Sequence, residues 1–206
     1  MKAVIFDVDG VILNNYTQVI KAFQSTAREL GHRIPPEREI RVLFGNPWWV
    51  LLGKLFGHEP NELERETYLR IWHDLEADMH LAEGVNNLLP NIKLPLGLVT
   101  GKQLSTLKRQ VGPLLKNFKV IVTADDTEKY KPDPEPILIA CRKMKVDPAD
   151  AVYIGDTLAD FKSATMAGTK FIGFLGGGAT MEEFKKAGVK KVATSMIELD
   201  KTLKAL

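Results

Sequence analysis

The chain has 206 residues, of which 45% are hydrophobic and 26% charged, a balance typical of a folded globular protein rather than a disordered one. The 28 lysines and arginines nearly cancel the 26 aspartates and glutamates, and this formal net charge of +2 argues against a nucleic-acid partner. A chain of this length accommodates one large domain, or one domain with a modest insertion.

Cysteine content and the N-terminal sequence both bear on the compartment. The single cysteine, Cys141, cannot form an internal disulfide, which fits a reducing compartment. The N-terminal apolar run meets Asp7 and Asp9 before the core of a signal peptide can develop. No apolar run approaches the roughly 18 residues of a membrane span. We therefore expect a soluble, cytoplasmic protein without a membrane partner, either a monomer or a homodimer.

Short apolar runs that end abruptly in small or acidic residues recur along the chain. Apolar runs without alternation predict strands that are buried on both faces, as in parallel sheets. Segments with helical spacing lie between them, and this alternation predicts an α/β fold with a doubly wound parallel sheet. The predicted strands are 3–6, 96–99, 120–122, 151–154, 171–175 and, more weakly, 191–193; the predicted helices are about 103–116, 134–145, 158–167, 179–187 and 196–205.

Residues 14–82 interrupt this alternation, because they contain helical patterns and no convincing strand. We predict that they form a helical cap domain inserted into a core domain of residues 1–13 and 83–206. Trp48 and Trp49 belong either to the interior of this cap or to a surface that faces a substrate. The helical patterns lie near 15–31, 36–56 and 60–79, and the histidines in or beside them, His32, His58, His73 and His80, show no HxxH or HExxH spacing, so we predict no zinc site.

Asp7 and Asp9 directly follow the first predicted strand, in the string Asp7-Val8-Asp9-Gly10. Ligands of doubly wound sheets bind beyond the carboxyl ends of the strands, so this position favours a functional site. Two carboxylates so close repel each other unless a cation or a shared proton compensates, which suits a divalent metal or an acid–base pair. An Asp-Gly turn without a function is the alternative.

Asp156 and Asp160 form a second acidic pair, one helical turn apart, after the strand predicted at 151–154. Hard Mg²⁺ prefers oxygen ligands, usually a few carboxylates completed by water or phosphate. Asp7, Asp156 and a backbone carbonyl match that preference. Capping of the helix that follows is the alternative role for Asp156 and Thr157.

Two further motifs suit phosphate. Thr100-Gly101 follows the strand 96–99, where a hydroxyl and backbone N–H groups at a helix start can bind an anion. Lys131 lies beside Pro132, whose ring fixes the backbone, and a lysine in such a loop can reach a phosphate oxygen. A plain turn and a solvated lysine are the respective alternatives. Because all four motifs lie at or beyond the ends of apolar runs, together they favour one shared site.

In this order, the four motifs resemble those of the haloacid dehalogenase-like hydrolase superfamily, and within it the phosphoglycolate phosphatase-like branch. The resemblance covers nearly the whole chain, and residues 14–82 stand where that family has its helical cap. It implies a Rossmann-like core, an Mg²⁺ cofactor and a small phosphorylated metabolite as substrate. The strings that carry it are Asp7-Val8-Asp9-Gly10-Val11, Thr100-Gly101, Lys131-Pro132-Asp133-Pro134, and Gly155-Asp156-Thr157 with Asp160.

The resemblance also implies a role for each residue. Asp7 would attack phosphorus and form an aspartyl-phosphate. Asp9 would protonate the leaving alcohol and then deprotonate the hydrolytic water. Mg²⁺ would be bound by Asp7, the backbone carbonyl of Asp9 and Asp156, and Asp160 would orient metal-bound water. The phosphate oxygens would be bound by Thr100, Gly101 and Lys131.

Asp9 favours a phosphatase over a dehalogenase, because the dehalogenase branch has no carboxylate acid–base group at this position. A phosphomutase uses the same first motif and stays an alternative, whereas a non-catalytic binding module would need a lost reacting group, and none is missing. Asn14-Asn15 stands where this branch commonly has Asp-Ser, Gly101 where many relatives have Asn, and Glu83-Gly84-Val85 where Pro-Gly-Val is familiar. The first two departures lie near the expected leaving group, so phosphoglycolate does not follow as the substrate.

Overall fold

A computed structural model describes all 206 residues of the chain. Its centre is a six-stranded sheet in the order β5-β4-β1-β6-β7-β8, with every neighbouring pair parallel. The predicted α/β fold with a parallel sheet is confirmed. No helix combines the length and the apolar character that a bilayer crossing needs.

Strands and helices alternate along most of the chain. The strands are β1 (Ala3–Phe6), β2 (Leu13–Asn14), β3 (His80–Leu81), β4 (Leu96–Val99), β5 (Val120–Val122), β6 (Ala151–Gly155), β7 (Lys170–Phe174) and β8 (Val192–Ala193). The helices are α1 (Tyr16–Glu29), α2 (Glu37–Arg41), α3 (Trp48–Phe56), α4 (Glu62–Glu76), α5 (Val85–Asn91), α6 (Leu104–Val111), α7 (Glu135–Met144), α8 (Leu158–Ala167), α9 (Met181–Ala187) and α10 (Met196–Lys204). Short 3₁₀ turns cover Gly112–Asn117, Ala124–Asp126 and Pro148–Asp150.

The central strand β1 is buried on both faces. Val4 and Phe6 pack into the apolar cluster on one side of the sheet, and Ala3 and Ile5 into the cluster on the other. All four side chains are fully buried. This is why β1 is an unbroken apolar run in the sequence, with no polar alternation.

The helical region between β1 and β4, formed by α1 to α4, has an apolar cluster of its own. A two-stranded antiparallel ribbon connects it to the sheet: β2 pairs with β3 through Leu13 with Leu81 and Asn14 with His80. The prediction that residues 14–82 contain no strand was therefore wrong, because Asn14, His80 and Leu81 belong to this ribbon. The domain boundaries at 13/14 and 82/83 stay a prediction.

Three helices differ from the predicted ones. The helix predicted over 36–56 is two helices, because Gly45 has a positive φ of 96° and Pro47 precedes α3 as its N-cap. The helix predicted over 103–116 ends at Val111, and a 3₁₀ turn containing Pro113 follows. Helix α5, which contains Pro90, was not predicted.

The strand order explains how distant motifs meet. The chain runs from β1 to β4 and β5 on one side of the sheet, then crosses to β6 and β7 on the other. The point where the direction reverses, between β1 and β6, is where ligands of open α/β sheets bind. Asp7 follows β1 and Asp156 is the first residue after β6, so the topology brings both carboxylates to that point.

The loop after β7 packs directly against the loop after β1. A Cβ atom added to Gly176 would overlap the carbonyl oxygen of Gly10, so only glycine allows this approach. We expect Gly176→Ala to lower the free energy of unfolding by more than about 2 kcal/mol, since backbone must move to admit the methyl group. Urea unfolding followed by circular dichroism measures the change.

Gly112→Ala is the matched control for this substitution. Gly112 has right-handed helical angles, and a Cβ there meets nothing within 4 Å. Its replacement is expected to be neutral or to stabilise by up to about 1 kcal/mol. Equal stability of the Gly176→Ala variant and the wild type would contradict the conclusion that only glycine fits at position 176.

Candidate active site

Three carboxylates gather at the carboxyl ends of β1 and β6. Asp7, Asp156 and Asp160 are almost fully buried, and each offers an oxygen within 4.8 Å of the others. The backbone N–H of Asp7 donates to the carbonyl oxygen of Ile154 at 2.9 Å, which continues the pairing of β1 with β6 and fixes the first carboxylate. The structure therefore brings together both acidic pairs of the sequence, with Asp9 lying nearer the surface than the other three.

Lys131 is buried among these carboxylates. Its Nζ lies 2.7 Å from Asp160 Oδ1 and 2.9 Å from Asp7 Oδ2, and it donates to the hydroxyl of Tyr153 at 3.2 Å. Burial acts to lower the pKa of Lys131, but the negative charges of Asp160 and Asp7 outweigh it and hold the pKa well above its ordinary value. The ammonium is thus charged at every working pH, and it bridges two carboxylates.

The hydrogen bonds of Asp160 are complete. Oδ1 accepts from Lys131 and from the Tyr153 hydroxyl at 3.1 Å, while Oδ2 accepts from the backbone N–H and hydroxyl of Thr157 at 3.0 and 2.6 Å. Thr157 is the N-cap of α8, and it forms a capping box with Asp160. The capping alternative raised by the sequence therefore applies to Thr157 and Asp160 and not to Asp156.

Asp156 differs, because one of its oxygens has no partner. Oδ2 accepts from the backbone N–H of Gly178 at 2.9 Å, whereas the buried Oδ1 has no hydrogen bond. Gly10 makes room for this carboxylate, since a Cβ there would overlap Asp156 Oδ2. An unpartnered buried carboxylate oxygen is costly and indicates a missing cation or donor.

The site lacks positive charge. When all three buried carboxyl groups are ionised, they exceed the one buried ammonium by two negative charges. Burial raises the pKa of Asp7 to about 7 against the opposing pull of Lys131. Burial also raises the pKa of Asp156 well above its usual range, and the charges of Asp160 and Asp7 add to the shift. Hard oxygen donors with an excess of negative charge suit a divalent cation, so the three carboxylates together could hold a metal ion.

Asp9 lies at the edge of this group and is held by two side chains. Its Oδ1 accepts from Asn15 Nδ2 and lies 2.8 Å from Lys102 Nζ. The lysine also lies over the ring of Trp72, 5.0 Å from its centre. Of the two asparagines that depart from the family pattern, Asn15 is buried against Asp9, while Asn14 is exposed in β2.

Thr100 and Gly101 lie where β4 ends, but they differ in what they contact. The Thr100 hydroxyl accepts from the backbone N–H of Lys102 at 3.2 Å and is buried. Gly101 meets the loop between α2 and α3: a Cβ there would lie 3.1 Å from the carbonyl oxygen of Gly45. A larger residue at 101 would therefore press on the helical region, which accounts for glycine at this position.

A cavity of about 80 Å³ lies between the sheet edge and the helical region α1 to α4. On the sheet side it is lined by the charged groups of the site and by Gly101. On the helical side its wall is mainly aromatic and aliphatic. The charged and aromatic lining residues include Asp7, Asp9, Lys102, Lys131, Phe44, Trp48, Tyr68 and Trp72.

The family profile described as haloacid dehalogenase-like hydrolase matches residues 4–174, which is most of the chain. The chain belongs to the haloacid dehalogenase-like hydrolase family. The resemblance inferred from the four motifs is thus confirmed.

Individual proteins are similar to the chain over most of its length. The chain is 30% identical to a pyrophosphatase PpaX of Bacillus pumilus over 84% of this chain and 82% of that protein. It is also 30% identical to a phosphoglycolate phosphatase of Nitrosospira multiformis over 82% of this chain and 81% of that protein. A hydrolase from Pseudomonas syringae shares the fold, with a TM-score of 0.88 over 100% of this chain and 99% of the other at 22% identity. These relatives support the predicted class of enzyme, a phosphoric monoester hydrolase.

Sequence reasoning missed several contacts of this site. Lys102 and Asn15 contact Asp9, and Gly178 and Tyr16 lie against Asp156. Lys102 had a signal, since it directly follows the Thr100-Gly101 motif. Gly178 had a weaker one, in the three consecutive glycines that follow β7.

The metal-free protein is expected to lose stability as the pH rises. Asp7, with a pKa of about 7, and Asp156 bind their protons more tightly folded than unfolded, so the free energy of unfolding falls between about pH 4 and 8. The raised pKa of Asp7 alone corresponds to a loss on the order of 4 kcal/mol. Mg²⁺ binds the deprotonated carboxylates, so its stabilising effect is expected to grow with pH.

Asp156→Asn tests this directly by urea unfolding at pH 5 and pH 8, with EDTA or with Mg²⁺. The variant removes one buried negative charge, so at pH 8 in EDTA it is expected to be more stable than the wild type and to respond little to Mg²⁺. Asp74→Asn, which changes an exposed carboxyl on α4, is the control and should behave like the wild type. The interpretation fails if Mg²⁺ stabilises Asp156→Asn as much as the wild type.

Proposed function

We propose that the protein is an Mg²⁺-dependent phosphatase that hydrolyses a small phosphorylated metabolite through an aspartyl-phosphate on Asp7. The observation that carries the proposal is the group of three buried carboxylates opposed by one lysine, with Asp7 open to the cavity. An excess of negative charge that suits a metal ion, a nucleophilic carboxylate and a cavity for the substrate thus lie next to one another. Names among the relatives, a pyrophosphatase and a phosphoglycolate phosphatase, support phosphate chemistry of this class.

The residues present fit Mg²⁺. Asp7, Asp156 and the backbone carbonyl of Asp9 would bind it, and the unpartnered Oδ1 of Asp156 supplies a ligand that nothing else uses. When bound, the ion supplies positive charge to the phosphoryl group and to the carboxylates around it. Asp160, whose oxygens are already occupied by four donors, is suited to positioning rather than to direct ligation.

In the first step, a carboxylate oxygen of Asp7 attacks phosphorus and the bond from phosphorus to the ester oxygen breaks. Asp9 gives its proton to that oxygen, so the leaving group departs as an alcohol. Asn15 and Lys102 hold Asp9 Oδ1, which leaves Oδ2 free to face the leaving group. Lys131 and the Gly101 backbone would bind the phosphate oxygens, with Thr100 supporting the turn.

In the second step, Asp9 takes a proton from water and the water oxygen attacks phosphorus. The bond between phosphorus and the Asp7 oxygen breaks, which releases inorganic phosphate and restores both carboxyl groups. The same aspartate thus acts as acid and then as base, which is possible because the first step leaves it deprotonated.

Asp7→Asn is expected to lower kcat for p-nitrophenyl phosphate hydrolysis by at least about a thousandfold, because it removes the nucleophile. Asp9→Asn is expected to lower kcat by about a hundredfold or more, and EDTA to abolish turnover by the wild type. Acid quenching during turnover should trap phosphate covalently on Asp7, as read by mass spectrometry of the peptide. Asp74→Asn should retain full activity.

Several outcomes would redirect the proposal. Full activity of Asp7→Asn, or turnover unaffected by EDTA, contradicts it. Transfer of the phosphoryl group to a second hydroxyl without phosphate release favours the phosphomutase. Halide release from a 2-haloacid favours the dehalogenase, and an absence of turnover on a panel of phosphorylated metabolites favours a binding module.

The lining of the cavity also restricts the substrate. Of its two ammonium groups, Lys131 is assigned to the phosphate in this mechanism, and Lys102 is paired with Asp9. No arginine or histidine lines the cavity, and the opposite wall is aromatic, with Trp48 stacked on Tyr68 at 4.8 Å between ring centres. We therefore propose an uncharged leaving group with an apolar face, not an anionic one such as glycolate.

Benzyl phosphate is expected to have a kcat/KM at least about tenfold higher than phosphoglycolate. Both have a primary alcohol as leaving group, but glycolate is an anion and benzyl alcohol is uncharged. Trp48→Leu should raise KM for benzyl phosphate several-fold. Trp49→Leu is the matched control, because Trp49 faces Tyr130 outside the cavity. A preference for phosphoglycolate, or equal effects of the two substitutions, would contradict the assignment.

A further inference from the structure

A second group of potential metal ligands lies outside the cavity, in the helical region. His32 follows α1, His58 follows α3, and Glu64 lies in the first turn of α4. Glu64 Oε1 is 2.9 Å from His32 Nε2 and 3.4 Å from His58 Nε2. One donor atom from each residue lies within 4.8 Å of the others. None of the three lines the cavity that contains Asp7.

The hydrogen bonding of His58 directs its Nε2 toward Glu64. Its Nδ1 lies 3.0 Å from the backbone carbonyl oxygen of Glu59, which can only accept, so Nδ1 carries the hydrogen. In the neutral ring Nε2 then presents a lone pair to Glu64 Oε1, which is also an acceptor. Two acceptors at this distance repel each other unless a proton or a metal ion lies between them. A nitrogen that donates to a backbone carbonyl while the other faces outward is also the usual state of a metal-binding histidine.

Like His58, the other two groups are positioned by contacts outside the cluster. Glu64 is 3% exposed, and its Oε2 accepts from the backbone N–H of Asn61 at 2.8 Å as part of a capping box. This bond fixes the carboxylate and directs Oε1 toward the two rings. The His32 ring stacks on Phe56 with 4.1 Å between centres.

The separations match a tetrahedral ion. Zinc bound at about 2.1 Å places neighbouring donor atoms about 3.4 Å apart. The distance from Glu64 Oε1 to His58 Nε2, 3.4 Å, equals that value, and the 2.9 Å to His32 Nε2 is a hydrogen-bond distance that lengthens when the ion binds. The His58 and His32 side chains are 47% and 32% exposed, so the ion can enter from solvent and a water molecule can complete its coordination.

We propose that His32, His58 and Glu64 bind a transition-metal ion, Zn²⁺ in preference to Mg²⁺. Two imidazole nitrogens and one carboxylate suit zinc, whereas magnesium prefers oxygen ligands only. The ion ties the chain segments after α1 and after α3 to the start of α4, so its role is structural. The prediction of no zinc site was based on spacing along the chain, and the fold brings together histidines that are far apart in sequence.

The test is isothermal titration of the metal-stripped full chain with Zn²⁺ at pH 8, in excess Mg²⁺ so that the carboxylate site is saturated. The wild type is expected to bind one equivalent with a micromolar or tighter Kd. His32→Ala and His58→Ala should each lose at least about tenfold in affinity. Glu64→Gln keeps the capping box but lacks the ligand charge, and it should lose a similar factor without unfolding.

The double variant His73→Ala/His80→Ala is the control, since it removes the two histidines outside the cluster and should bind Zn²⁺ like the wild type. Titration with Co²⁺ gives an independent readout, a visible absorption band of tetrahedral cobalt that the His58→Ala variant should lack. Zinc binding that is unchanged in His32→Ala and His58→Ala would overturn the proposal. So would the absence of binding by the wild type at tens of micromolar zinc.

Discussion

The burial of three carboxylates around one lysine, where β1 and β6 end, is the constraint on which the rest of the site depends. A buried charge costs several kcal/mol unless donors or an opposite charge compensate it. Asp160 has four donors, but Asp156 Oδ1 has none, so the group retains a demand for a cation. Glycines in the surrounding loops leave room for Asp156. A Cβ at Gly10 would overlap its carboxylate, and a Cβ at Gly178 would lie 2.7 Å from its Oδ2.

The two halves of the chain supply different parts of the cavity. The sheet edge supplies charge, and the helical region α1 to α4 supplies an aromatic wall that includes Trp48 and Tyr68. Asn15 and Tyr16, at the start of α1, contact Asp9 and Asp156, so the first turn of the inserted region is also part of the charged group. On the proposed mechanism, the phosphate and the leaving group therefore face chemically different surfaces, and the aromatic surface decides which ester is hydrolysed.

Much of this arrangement could be predicted from the sequence, because its signals are local. Apolar runs marked the strands, and an acidic residue directly after a run marked the sheet edge, as for Asp7 and Asp156. The contacts that were missed join residues distant in sequence. Nothing near Lys102 indicates that its partner is Asp9, and no spacing relates His32 to His58. The break within the predicted helix 36–56 did have a local signal, Gly45 and Pro47. The apolar periodicity of the segment was given more weight than these two residues.

The position of Lys131 explains why the site contains Asp160 at all. On the proposed mechanism, an incoming phosphate competes with Asp7 for the ammonium, so Lys131 must be able to turn toward the phosphate without losing all compensation for its burial. Asp160 provides that compensation at 2.7 Å, and the Tyr153 hydroxyl assists at 3.2 Å. The capping box with Thr157 fixes Asp160 in turn, so the start of α8 holds the lysine within reach of both partners. An uncharged residue at 160 would leave Lys131 paired with Asp7 alone, and the nucleophile would then stay blocked by the group that binds the phosphate.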